Sequence, residues 1–137
     1  RDAGTEGMAY VMSTACREAG LPPASLDLVA ASAGGHPLLD RLEAEAIEEV
    51  VGTSVPVTAY KAKLGECFGA SSALSTVCAL IDLGERRITG VGRDYQSRGT
   101  IDLVTEDRVG VDGEHVMINA FSCDGNCGSI ILSLSNN

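Results

Sequence analysis

The sequence predicts an α/β fold, with a mixed five-stranded sheet, helices on at least one face and one buried central helix. Three observations predict it. Helix-period and strand-like runs alternate as far as Gly84. Two further strand-like runs, joined by a glycine-containing connection, close the chain. Between these regions, a helical run carries no charge from Cys67 to Ile81.

The elements follow in order. Met8, Val11, Met12, Ala15, Cys16 and Ala19 fall on one helical face, and Gly20, Pro22 and Pro23 stop that helix. Residues 26–31 (LDLVAA) read as a short buried strand, followed by a turn at Ala33-Gly34-Gly35-His36-Pro37. A helix over 38–51 buries Leu39, Leu42, Ala46, Ile47 and Val50 and turns Arg41, Glu45, Glu48 and Glu49 outward; Gly52 ends it. Residues 55–60 form a second strand, 61–67 a loop, and 68–84 a helix. The segment 87–105 is loop-rich, with one strand at 101–104, and Asp112-Gly113 is a hairpin signal. Strands at 115–121 and 129–134 complete the chain. The helix over 68–84 is small-residued at its start and apolar around its circumference, so it is expected in a middle layer between two sheets. One of those sheets comes from this chain and the other cover from elsewhere.

Composition excludes several functions. A length of 137 residues allows one domain or part of one, and Arg1 in first place points to a fragment or processed chain. A net charge of −9 disfavours nucleic acid and anionic membranes, since neither offers such a chain favourable electrostatics. No apolar stretch is long enough to span a bilayer, and no secretory leader is visible. The one tight basic pair, Arg86-Arg87, reads as a solvated helix end. Five cysteines, an odd number, suggest reduced thiols and a cytoplasmic location. No internal repeat or low-complexity tract is present.

Three segments resemble the C-terminal half of the β-ketoacyl synthases of the thiolase superfamily. SAGGHPLLD (32–40) with Glu43 resembles the family's H-G-T-S-T-P-x-x-D plus glutamate, matching at Pro37, Asp40 and Glu43. KAKLGECFGASSA (61–73) resembles K-x-x-x-G-H and its small-residue helix, through Lys61, Gly65, Gly69, Ala70 and Ala73. NAFSCDGNCGS (119–129) resembles N-S-F-G-F-G-G-x-N-A-S, through Asn119, Phe121, Gly125 and Ser129. The resemblance runs over nearly all of residues 1–137 and implies half of a thiolase-like layered αβαβα fold.

The departures lie at the catalytic positions. The family condenses acyl chains with a cysteine, carried in the N-terminal half, and two histidines. Here the histidine positions hold Ser32 and Glu66, and the acyl-site loop reads Ser122-Cys123-Asp124-Gly125. Decarboxylation of an extender unit puts negative charge on a thioester oxygen, which needs preorganised donors. An ionised glutamate accepts hydrogen bonds only, and a serine hydroxyl falls short of an imidazole's reach. The resemblance therefore implies no catalytic residue in this chain. It implies a retained charge network of Asp40, Glu43 and Lys61, with Glu43 sharing Lys61 with Glu66. This pattern is most similar to the chain length factor, the ketosynthase β subunit of type II polyketide synthases. The implied partners are an active ketosynthase subunit in a heterodimer, the N-terminal half of the fold and, indirectly, an acyl carrier protein. No cofactor is implied.

Other readings compete. A residual thioester hydrolase or acyltransferase would use His36, Cys67 or Glu66, and a purely structural half would leave product length unaffected. Cys123 and Cys127, with Asp124 and His115, have a spacing zinc accepts, but no second Cys/His pair accompanies them. The Ala33-Gly34-Gly35 turn has no phosphate-loop lysine, which argues against a nucleotide.

Overall fold

The computed structural model describes residues 3–97 and 99–135. Helix α1 (Ala3–Ala19) buries Met8, Met12 and Cys16. Gly20, at φ +67°, ends it with the paired bonds Gly20 N to Arg17 O and Leu21 N to Cys16 O, at 3.2 and 3.0 Å. Strand β1 (Leu28–Ala30) leads into α2 (Pro37–Val51), which starts with proline in its first turn and the His36 side chain accepting from Leu39 N. Strand β2 (Pro56–Thr58), the single-turn helix α3 (Lys61–Leu64), a 3-10 turn (Phe68–Ala70) and helix α4 (Ser71–Gly84) follow. The short strands β3 (Arg87–Ile88), β4 (Asp102–Leu103) and β5 (Arg108–Val109) precede the long hairpin β6 (His115–Phe121) and β7 (Cys127–Ser133).

The main sheet has the order β4-β2-β1-β6-β7. Strands β4, β2, β1 and β6 are parallel and β7 is antiparallel, so the sheet is mixed as expected. β1 sits at its centre with all three residues buried, which suits its continuous apolar run. Alternate residues feed two cores. Val29 and Met117 face α1 and α2, joining Met12, Leu42 and Ile47. Leu28, Val116 and Ile118 face α4, joining Ala79 and Leu83. Each such fully buried aliphatic side chain stabilises by about 1.5–3 kcal/mol.

Several expectations are corrected. Residues 61–67 hold the turn α3, closed by Gly65 at φ +78° with Gly65 N bonded to Lys61 O at 2.8 Å. The α-helix expected from Phe68 begins at Ser71, because Phe68 takes φ +50°, outside the right-handed α region that a continuous α-helix needs. Asp112-Gly113 is not a hairpin: β5 pairs with β3 in a separate two-stranded sheet. Gly113 instead fits where a Cβ would stand 2.8 Å from Asp27 Cβ, and the Asp27 carboxylate accepts the Glu114 and His115 amides at 2.8 and 2.9 Å. The two strands β3 and β5 are two residues each, too short for any periodicity to register.

Within this chain α4 is covered on one face only. Ser71, Ser75, Ala79, Asp82 and Leu83 are buried, whereas Leu74, Val77 and Ile81 are 38%, 53% and 53% exposed. The buried Asp82, just past the uncharged stretch, accepts from Tyr60 Oη at 2.9 Å and Thr89 N at 2.7 Å, with Arg87 Nε 3.3 Å away. Among the described residues no helix is long and apolar enough to cross a membrane.

Candidate functional site

Ser32, Lys61, Glu66 and the 122–126 turn gather where the parallel strands β1, β2 and β6 reach their carboxyl ends, the usual crevice of an open α/β sheet. The Ser32, Lys61 and Glu66 side chains are already engaged. Ser32 is buried; its hydroxyl donates to Phe121 O at 3.1 Å and accepts from Phe121 N at 3.0 Å. It therefore continues the β1–β6 pairing beyond Ala30, and its proton is committed to the backbone.

Glu43, on α2, is the buried knot beneath the site. Its carboxylate accepts from Ser32 N at 2.8 Å, Ala33 N at 2.9 Å and Asn119 Nδ2 at 3.1 Å. Asn119 Oδ1 in turn accepts from Ser129 Oγ at 3.0 Å. Burial pushes the Glu43 carboxyl above its ordinary range, against the pull of those three donors. Asp40, in the first turn of α2, accepts from Gly35 N at 3.1 Å; burial also pushes its carboxyl up.

The charge network expected of Asp40, Glu43 and Lys61 is divided. Glu43 does not share Lys61, because its lone pairs are taken up by donors inside the fold. Lys61 Nζ lies 2.9 Å from Glu66 Oε2, with a side chain only 14% exposed. Asp40 feels Lys61 through its field alone. Gly34 lies beside this pair, where a Cβ would meet Glu66 Oε2 at an ordinary contact distance of 3.4 Å.

Glu66 holds three donors. Ser71 Oγ gives to Oε1 at 2.6 Å, Lys61 Nζ to Oε2 at 2.9 Å and Phe68 N to Oε1 at 2.7 Å. The Ser71 hydroxyl first, then Lys61 and the Phe68 amide, bring its carboxyl down to about 2. At neutral pH Glu66 is a fixed anion and acceptor. Ser71, which sequence reasoning missed, links Glu66 to the chain at Cys67 N. Its signal was visible: a hydroxyl opening a helix just after a carboxylate.

Two clefts meet at Lys61. One, of about 310 Å³, has an aliphatic floor of Ile47, Val57, Val91 and Leu103 beneath a mouth holding Asp40 and Glu66. The other, of about 220 Å³, is lined by Ser32, Phe68, Ser71, Asn119 and Phe121.

The 122–126 segment is a turn closed by Ser122 N to Asn126 O at 3.0 Å, with Gly125 at φ +90°. The Ser122 hydroxyl and the Asn126 amide both give to Asp124, holding its carboxyl below the usual range. Cys123 is exposed and free, and Cys127 opens β7. Among the described residues no three His, Cys, Asp or Glu side chains are placed to hold a metal ion. All five cysteines are free, and burial pushes the Cys16, Cys78 and Cys127 thiols up. His36 is spent on capping α2, and Cys67 Sγ lies against the Gly65 and Leu64 carbonyls. No hydrogen bond joins either to the other or to Glu66 among the described residues.

The site thus brings a buried serine hydroxyl and an ionised glutamate to the carboxyl ends of the parallel strands. The family model for the β-ketoacyl synthase, C-terminal domain, matches residues 2–91, and the chain belongs to that family. It is 42% identical over 102 residues to the tetracenomycin polyketide synthase ketoacyl synthase beta subunit of Streptomyces glaucescens, covering 72% of this chain and 25% of that one. It is 28% identical over 137 positions to 3-oxoacyl-[acyl-carrier-protein] synthase 2 of Coxiella burnetii, covering 96% of this chain and 33% of the relative. Among solved structures, the ishigamide ketosynthase/chain length factor superposes with a TM-score of 0.89 at 24% identity, over 96% of this chain and 34% of the other. That likeness establishes the fold. The chain thus spans about a quarter to a third of the length of the proteins it matches.

Proposed function

We propose that residues 1–137 are the C-terminal half domain of a non-catalytic ketosynthase-like subunit, of the chain length factor kind, that pairs with an active ketosynthase in acyl chain elongation. One observation carries this reading: Ser32 and Glu66, which we assign to the two imidazole positions, have no proton free for a thioester oxygen. Loss of one such donor costs about 2.7–4 kcal/mol of transition-state stabilisation. An anion held at about pKa 2 further opposes the charge that decarboxylation develops. The active partner supplies the cysteine and both histidines, and the acyl carrier protein delivers substrate to that partner.

The similarity to a protein named a ketoacyl synthase beta subunit supports the pairing. The apolar outer face of α4 supports a further layer over it, which we assign to the N-terminal half of the fold. The five free cysteines fit a reducing, cytoplasmic setting. The residual-hydrolase reading finds no support in the geometry, since His36, Cys67 and Glu66 form no nucleophile–base pair.

Coexpression with a ketosynthase that keeps its cysteine and histidines tests the proposal. The two are expected to copurify and to condense acyl and malonyl units only together. Copurification failure, or equal activity by the ketosynthase alone, would refute it.

A further inference from the structure

Ser32 sits where the pairing of β1 with β6 runs out. The register sets Leu28, Val29 and Ala30 opposite Val116, Met117 and Ile118, and the main chain then leaves the sheet. Ala33 makes that exit at φ +22°, a left-handed value uncommon for a residue that carries a side chain. The Glu43 carboxylate fixes the exit, taking the Ser32 and Ala33 amides at 2.8 and 2.9 Å. The Ser32 amide is thereby turned to α2 and withheld from β6. A strained residue held by its neighbours in this way is typical of functional positions.

The Ser32 side chain takes over what the main chain gives up. Its Oγ accepts from Phe121 N at 3.0 Å and donates to Phe121 O at 3.1 Å. One rotatable hydroxyl thus pairs both polar groups of one residue. Ser32 is only 6% exposed, so water is no ready substitute for it. Phe121 is the last residue of β6 and leads into the 122–126 turn, which Ser122 N closes on Asn126 O at 3.0 Å.

An imidazole does not suit this task. In its neutral form the donor and the acceptor sit on separate ring nitrogens, which do not reach the N–H and the C=O of one residue together.

We propose that Ser32 is a positioning residue that latches Phe121, and through it the 122–126 turn, to the end of β1, and that position 32 serves either this latch or an imidazole but not both. The proposal rests on the assignment of position 32 to an imidazole position and adds what the serine gains there. Putting a histidine back at position 32 therefore releases the turn.

Amide hydrogen exchange, read by mass spectrometry on the full-length subunit without a ketosynthase, tests this. Ser32→Ala is expected to speed exchange of the peptide covering residues 119–127 about tenfold, as a buried N–H and C=O lose their partner, and to leave the α2 peptide at the parent rate. Ser32→Thr, which keeps the hydroxyl, retains the parent rate in both. Ser32→His follows Ser32→Ala. Ser32→Cys keeps the volume and weakens both bonds, and it carries the test should the alanine variant not fold. Equal acceleration in both peptides would show a general loss of stability and overturn the latch, as would parent-like exchange at 119–127 in Ser32→Ala or Ser32→Cys. Parent-like exchange in Ser32→His would overturn the exclusion of an imidazole. Failure of the partner-subunit reading is separate, since it shows as failed copurification and leaves these exchange rates untouched.

Discussion

Glu66 is held by three donors, from Ser71, Lys61 and Phe68. Position 66 stood out in the sequence because a glutamate follows Gly65 where an imidazole was implied, and its pairing with Lys61 was legible from spacing and charge. The assignment of Glu43 to the same lysine was not, because spacing along the chain does not reveal which carboxylate points inward. Three donors aimed at Glu43, two from the segment just after β1 and one from β6, decide it, and β6 lies far away in sequence. The depressed carboxyl of Glu66 makes a pH-dependent contribution. Its folded value of about 2 lies below the ordinary 4.5, so the stabilisation is complete above pH 4.5 and is lost as pH falls towards 2. Because the side chain is well exposed, the effect is about 1 kcal/mol or less. Denaturant midpoints measured from pH 7 down to the acid limit are expected to favour the parent over Glu66→Gln at neutral pH and to converge in acid. A difference that persists unchanged at low pH would exclude the ion pair as its source.

Element boundaries followed from local chemistry where that chemistry was strong. Gly20 and Gly52 stop α1 and α2 as their positions foretold, and the apolar run at 115–121 became β6 intact. Short elements escaped, because two-residue strands and a single helical turn owe their existence to tertiary contacts. The β3–β5 pair depends on such a contact at Gly90, where a Cβ would stand 2.6 Å from the Thr105 carbonyl oxygen and the Glu106 backbone. Gly90→Ala must therefore push the two segments apart. It is expected to cost about 1–3 kcal/mol, an overpacking cost, and to lower the thermal midpoint, read by circular dichroism. An unaltered midpoint would mean the two segments separate freely.

At the scale of the whole chain, the sheet is layered with helices and the outer face of α4 is apolar. The uncharged run from Cys67 to Ile81 announced that face in the sequence, and the structure leaves Leu74, Val77 and Ile81 outward on α4. What packs over them was not legible, because the apolar positions of a helix do not name their cover. Ile81→Asp in the full-length subunit is expected to lower the thermal midpoint, as a charge desolvated beneath the N-terminal half assigned to that face costs several kcal/mol. An unchanged midpoint would mean that this face stays uncovered in the full-length subunit. The central claim, that this chain has no donor for a developing oxyanion, is tested most directly by malonyl-thioester decarboxylation with the purified full chain and no ketosynthase present. Release of carbon dioxide at the rate of buffer alone is the predicted result; release well above it, abolished by Glu66→Ala or Ser32→Ala, would contradict the account.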